Sequence, residues 1–346
     1  MTRELTYKDA VNEALRQEME SDPTVFLIGE DIAGGAGHDH VPGALDAWGG
    51  PFGVTKDLVK QFGRERVIDS LLAETGFVGA SIGAAVAGLK PVAEIMYSDF
   101  LGTSFDQIFN HAAKLRFTYG GKISVPMVVR TVTGAGFRAG SEHSQMLISL
   151  YAHIPGLKVI APSNAYDAKG LLISAIRDPN PVIFMEHKRL YMQKAEVPEN
   201  SYVIPIGKGD IKRKGADITI VGVQKMVMTA LDAARQLAEL GIEAEVIDPR
   251  TYSPLDIDLI CESVAKTGHL LVVDESYPRC SIATDIAGQV ADFAFTDLKG
   301  PIKILTGLHM PIPFSPPMED HFIPSVENVI AYVVAMLKGE RIDVRR

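Results

Sequence analysis

Glu74 and His143 are the two titratable side chains whose settings suit proton transfer. Glu74 follows the apolar stretch Arg66–Leu72 and precedes a run of small residues, Gly79, Ser81, Gly83, Ala84 and Ala87. A carboxylate at such a junction has two readings. It is a helix-start charge held by the helix dipole, or it edges a cleft as an acid–base group, since burying an unpartnered carboxylate is costly. His143 stands in Ser141–Gln145, directly after the glycine-rich Gly134–Gly140. A loop histidine with polar flanks suits proton transfer near neutral pH; the spacing alone equally fits a surface histidine.

Other motifs are weaker. Gly79-Ala-Ser81-Ile-Gly83 has the GxSxG form of a hydrolase nucleophile elbow. That motif needs a strand running straight into a sharp turn at the serine, and here Ser81 falls inside the small-residue helix. Gly134-Ala-Gly136-Phe-Arg-Ala-Gly140 imitates a dinucleotide fingerprint, but its last gap is three residues and no helix clearly follows, so it reads as a flexible loop. There is no GxxxxGK[ST]. His38 and His40 have no nearby cysteine or paired carboxylate to complete a metal site, which favours a solvated loop.

The elements that must position these residues alternate. Thr6 caps a helix carrying Ala10, Val11, Ala14, Leu15 and Met19 at helical spacing, stopped by Asp22-Pro23. Val25–Ile28 is a short buried strand, followed by a loop with nine glycines or prolines between Gly34 and Gly53; a loop this long is usually functional or disordered. Strands are expected at 66–72, 91–96, 125–132, 158–161 and 181–186, and helices after Glu74, over 105–118 and over 164–177. Gly79 and Gly83 share a helix face, and their helix cost of about 1 kcal/mol each suggests close approach to another backbone. After a Pro/Glu/Lys-rich stretch, 217–274 reads as a βαβαβ unit. The expected division is a domain over 1–189, a linker over 190–206 and a smaller domain over 207–346. Alternating strands and helices mean α/β layers with mostly parallel sheets, with ligands at the strand carboxyl ends.

Composition sets the bounds. The 346 residues suffice for two domains. With 34 Lys and Arg against 43 Asp and Glu, the net charge is −9 and the pI about 5.5, which argues against a nucleic-acid partner. The two cysteines make no disulfide framework and suit a reducing cytoplasm. No secretory signal or apolar run of spanning length is seen, so neither export nor a membrane is expected.

The stretches Leu72–Phe77, Ala93–Phe100, Glu142–Gln145, Ile154–Ile160, Asp248–Asp256 and Val272–Glu275 together resemble one family: the β subunit of the decarboxylating component of 2-oxo acid dehydrogenase complexes. The likeness runs over about residues 4–335. It implies a transketolase-like fold, with a parallel-sheet pyrimidine-binding domain followed by a smaller α/β C-terminal domain. It also implies thiamin diphosphate as cofactor and an α2β2 assembly whose α subunit holds the diphosphate and Mg2+ through a GDG motif, which this chain lacks. By resemblance, Glu74 is the carboxylate bonded to the aminopyrimidine, and Leu72, Met96 and Phe100 pack around that ring. His143 serves acyl transfer to the lipoyl arm of an acyltransferase. Met127, Ala175, Ile176, Asp178 and Asn180 correspond to a K+ site of some relatives. The loop segments Gly29–Gly37, Asp46–Gly50 and Gly53–Lys56 look like the acetoin branch of the family, whereas His38–Leu45 departs from it. The rival expectations are a pyruvate or branched-chain subunit and a non-catalytic scaffold tethering the acyltransferase, with a serine hydrolase a distant third.

Overall fold

A computed structural model describes residues 2–34 and 49–342. His38, His40, Trp48 and the central part of the glycine-rich loop lie outside the described residues. The chain divides into two compact units: residues 1–133 with 150–206, and residues 134–149 with 207–346.

The first unit opens on strand β1 (Thr2–Thr6) and helix α1 (Tyr7–Ser21), whose N-cap Thr6 accepts from the Asp9 amide as its sequence predicts. Next come β2 (Val25–Gly29), α2 (Leu58–Phe62), β3 (Val67–Asp69), α3 (Glu74–Val86) and β4 (Lys90–Tyr97). The remainder is α4 (Leu115–Thr118), β5 (Val128–Thr133), α5 (Ile148–Ala152), β6 (Lys158–Ile160), α6 (Ala165–Arg177), β7 (Val182–His187) and β8 (Lys194–Pro198). The sheet order runs β6-β7-β5-β4-β2-β3, all parallel. β5 and β7 are buried on both faces, as covered parallel strands must be. Between β2 and β4 the connections leave in opposite directions, which makes a topological switch point whose crevice opens at the strand carboxyl ends.

Two expectations change here. The helix expected over 105–118 is interrupted: Gln107–Ala112 is π-helical, with the Ala113 amide reaching the Ile108 carbonyl five residues back, and α4 restarts afterwards. Gly156 lies so close to the Ala113 carbonyl that a Cβ would stand 2.0 Å from it. The stretch 190–206, expected as a linker, is built into the first unit. β8 pairs antiparallel with β1. The Lys169 ammonium, fully buried in α6, pairs with Glu13 and donates to the Pro198, Glu199 and Asn200 carbonyls. Tyr202 stacks on Tyr166, and Ser174 bonds the Ile204 carbonyl.

The second unit contains β9 (Asp210–Arg213), β10 (Ile218–Gly222), α7 (Met226–Glu239), β11 (Ala244–Asp248), β12 (Thr251–Ser253), α8 (Ile257–Thr267), β13 (Leu270–Val273), α9 (Ile282–Phe293), β14 (Lys303–Leu305), α10 (Pro316–Phe322) and α11 (Val326–Lys338). Its sheet runs β14-β13-β10-β11-β9, parallel except for β9. Ile218, Ile220, Val246, Leu271 and Val273 bury one face under α7 and α11. Thr219, pointing the other way, bonds Ser263 and Thr267 of α8. Ala135, from the 134–149 loop, is part of that core. Among the described residues no helix is long and apolar enough to cross a membrane.

Candidate active site

Three strand ends meet at the switch point. β2 ends in Gly29 and delivers Glu30 and Asp31; the Gly29 carbonyl accepts from the Ser70 amide, locking the end of β3 beside it. The chain then turns through 70–73 and starts α3 at Glu74, half-buried, with no side-chain cap ahead of it. Free amides at a helix start favour a carboxylate there. Burial, reinforced by the charges of Asp31 and Glu74, pushes the Glu30 carboxyl above its ordinary value. Glu30 and Glu74 are therefore electrostatic neighbours at these strand ends. Glu30 was missed from sequence; its signal was an acidic pair directly after a buried apolar strand. Leu71 and Leu72, just before Glu74, stand 75% and 76% exposed.

The end of β4, the strand against which α3 packs, lies beside them. Met96 and Phe100 are half-buried, and Phe100 meets Tyr97 edge to face at 5.8 Å. Phe52, from the described end of the glycine-rich loop, packs on Tyr97 at 5.7 Å and on Tyr191 at 5.3 Å. Beneath these rings lies a buried charge cluster that sequence reasoning also missed. Arg130, in the middle of β5, donates to both Glu186 oxygens at 2.7 and 3.0 Å and to Glu94 at 2.6 Å. The Tyr191 hydroxyl donates to Glu186 at 2.9 Å. Burial pushes the Glu94 carboxyl up while Arg130 pulls it down, and burial with the Glu186 charge raises the Tyr191 phenol well above its usual value. Gly50, at φ +74°, sits on Glu94; a Cβ there would stand 3.1 Å from its carboxylate oxygen.

The remaining predicted residues are placed as follows. Ser81 lies inside α3 with its hydroxyl donating to the Phe77 carbonyl at 2.8 Å, so no strand–turn elbow presents it as a nucleophile. Asp178 and Asn180 adjoin: the Asn180 amide and side chain both donate to one Asp178 oxygen, Lys158 takes the other, and Arg116 donates to the Asn180 oxygen. The Met127 carbonyl accepts from Val182 and the Ala175 carbonyl from Asp178; Ile176 is buried in α6. Each of these carbonyls keeps a second lone pair.

His143 belongs to the second unit, half-exposed on the 134–149 loop. This loop is not free. The Ala135 amide donates to Glu275 at 2.8 Å, and the Gly136 and Arg138 amides donate to Glu319 at 2.7 and 3.2 Å. The Arg138 guanidinium pairs with Glu319 at 2.6 Å and with Asp320 at 2.8 Å. Gly136 has φ +95° and Arg138 φ +57°, an alternation that turns their two amides toward one anion. The glycine-rich run that imitates a phosphate cradle thus wraps the protein's own carboxylate. Ser141 and Gln145, on either side of His143, line a cleft of about 430 Å3 with Tyr277, His309, Met310 and Pro311.

A parallel α/β unit with carboxylates at its switch point, followed by a second, mostly parallel α/β unit, fits the transketolase class. Residues 3–194 match the family model "Transketolase, pyrimidine binding domain" and residues 207–329 match "Transketolase, C-terminal domain". The chain belongs to this family. It is 54% identical over 337 residues, 97% of its length and 98% of the relative's, to "Acetoin:2,6-dichlorophenolindophenol oxidoreductase subunit beta" of Bacillus subtilis. It is 55% identical over 339 residues, 98% of this chain and 99% of the other, to the protein of the same name in Cupriavidus necator. The "2-oxoisovalerate dehydrogenase subunit beta" of B. subtilis is 43% identical over 329 residues, 94% of this chain and 97% of that one. A solved structure described as "Split gene transketolase, inactive beta4 tetramer" shares the fold at TM-score 0.75 and 19% identity, covering 97% of this chain and 99% of its own.

Proposed function

We propose that this chain is the β subunit of a thiamin-diphosphate-dependent acetoin dehydrogenase, active with an α subunit in an α2β2 enzyme. The observation that carries this reading is the Glu74 carboxylate at the start of α3, an electrostatic neighbour of Glu30, on a helix that packs against the strand ending in Met96, in a chain similar over nearly its whole length to acetoin oxidoreductase β subunits. These residues fit an aminopyrimidine. Glu74 is a half-buried acceptor at a helix start, Met96 and Phe100 offer apolar surface, and Leu72 stands exposed two residues before the acid. The bound cofactor supplies the electron sink for cleaving the acetoin carbon–carbon bond. With the cofactor bound, Glu74 would hold the aminopyrimidine by a hydrogen bond and serve as the acid–base group beside it. His143 serves acyl transfer to a lipoyl-bearing acyltransferase.

Mg2+ belongs with the α subunit. A K+ ion would use the spare lone pairs around Met127, Ala175, Ile176, Asp178 and Asn180. The exposed face of α3 is the place for a partner chain: Gly83 is exposed, and a Cβ on it would meet nothing within 4 Å. The enzyme works in the cytoplasm.

Acetoin is neutral, whereas pyruvate carries a carboxylate that calls for a cationic partner. The loop over 34–53 contains no Arg or Lys, and its Phe52 joins the apolar wall. Kinetics of the αβ enzyme should favour acetoin over pyruvate at least tenfold in kcat/KM, about 1.4 kcal/mol of transition-state discrimination. Equal or better turnover of pyruvate would move the chain to the pyruvate branch. Failure of the mixed subunits to bind thiamin diphosphate would favour the scaffold reading.

A further inference from the structure

We infer that Glu319 is a positioning residue for acyl transfer: its buried carboxylate is the internal anion around which the His143 loop is wound. This rests on the role proposed above for His143. The Glu319 side chain is 0% exposed, and among the described residues its donors come from one short segment: the Gly136 amide, the Arg138 amide and the Arg138 guanidinium. A buried carboxylate with three donors is a firm anchor, because charge-assisted bonds are the strong ones and every donor lost would leave a charge uncompensated. Glu275 repeats the device one residue earlier, through Ala135, whose side chain is packed in the core of the second unit.

The loop is pinned on its other side as well. The Tyr277 hydroxyl bonds the Gln145 side chain at 3.4 Å, two residues after His143. His143 therefore rides on a segment fixed before it by Glu319 and after it by Tyr277, with Arg138 five residues ahead. A reactive imidazole on a loop needs such support to keep its ring in place. Without the anion, the Gly136 and Arg138 amides, with both residues at positive φ, lose their shared partner and the segment relaxes.

The test uses the enzyme assembled with its α subunit and two assays: reduction of 2,6-dichlorophenolindophenol, which bypasses the lipoyl step, and reductive acetylation of a lipoyl domain. Glu319→Gln keeps the shape but turns an amide N–H toward the Arg138 donors. The ratio of acetylation to dye reduction should fall at least tenfold through kcat, with KM for the lipoyl domain within about twofold. Glu319→Asp, which keeps the charge, should recover part of that ratio. If Glu319→Gln impairs assembly, Arg138→Ala, which removes one donor from a part-exposed side chain, should lower the same ratio by a smaller factor. An unchanged ratio, parallel losses in both assays, or an Asp variant no better than Gln would overturn the inference. His143→Ala is run alongside. If it lowers the ratio and the Glu319 variants do not, this inference alone fails; if it leaves the ratio unchanged, the reading of His143 fails and this inference with it.

Discussion

Replacing Arg130 by methionine should expose how much of the first unit depends on one guanidinium. Arg130 is 2% exposed and shared between Glu186, 0% exposed, and Glu94, 12% exposed. Methionine fills comparable space but leaves two carboxylates in the interior without their cation. Removing one partner from a buried ion pair costs about 3–5 kcal/mol. In a unit of roughly 150–250 residues each kcal/mol lowers Tm by about 2–4 °C, so the melting temperature should drop by roughly 6–20 °C. The drop should depend on pH. Burial already raises the Glu94 carboxyl and Arg130 opposes it. Without the cation the folded-state pKa rises further above an unfolded value of about 4.3. A raised folded pKa gives stability that is complete below the unfolded pKa and is lost as pH rises through the folded one. The deficit should therefore be smallest near pH 5 and largest near pH 8. Thermal melts of parent and variant enzyme, at one concentration across that range, measure it. A Tm within about 2 °C of the parent at pH 8, or a deficit that stays constant with pH, would show that the two carboxylates do not depend on Arg130.

Glu74→Gln should cut turnover at least about a hundredfold, the scale of acid–base contributions, with an unchanged melting curve; activity within a few-fold of the parent would remove Glu74 from the chemistry. Gly83→Leu should leave the isolated chain folded, because a Cβ there enters open space, yet block assembly with the α subunit by overpacking the contact; a normal tetramer on gel filtration would place the contact elsewhere.

Periodic and capped elements could be read from the residues because their causes are local. Thr6 marks the start of α1 three residues ahead of the amide it caps. The parallel strands show as apolar runs. The π-helical turn at Gln107–Ala112 has no such mark: it shares the apolar spacing of an α-helix and differs in the contact of Ala113 with distant Gly156. Of the site, Glu74, Met96 and Phe100 sit on short matching motifs, whereas Arg130 is a polar residue in an apolar strand whose partners lie 36 and 56 positions away. Glu319 is farther still, 183 residues from Gly136. Glycine spacing in the 134–140 run reads as a flexible loop, because the carboxylate that fixes it, Glu319, comes from a distant helix. The 190–206 stretch looked like a linker because its anchors, Lys169 and Ser174, lie on another element.

That clasp of Lys169 on the chain's own carbonyls bears on how such a gene can be divided and recombined. A break within 190–197 would carry the Pro198, Glu199 and Asn200 carbonyls away from the first half and leave the ammonium inside α6 with the Glu13 carboxylate as its remaining hydrogen-bond partner among these. A break after Ile206 leaves every one of those bonds on the same piece. Exchange of the 207–346 portion between relatives, by evolution or by an engineer, keeps that clasp intact with a joint near Gly207, and it also requires a 134–149 loop that fits the incoming Glu275 and Glu319. The stretch that looks like the natural joint is one where a cut breaks the Lys169 bonds.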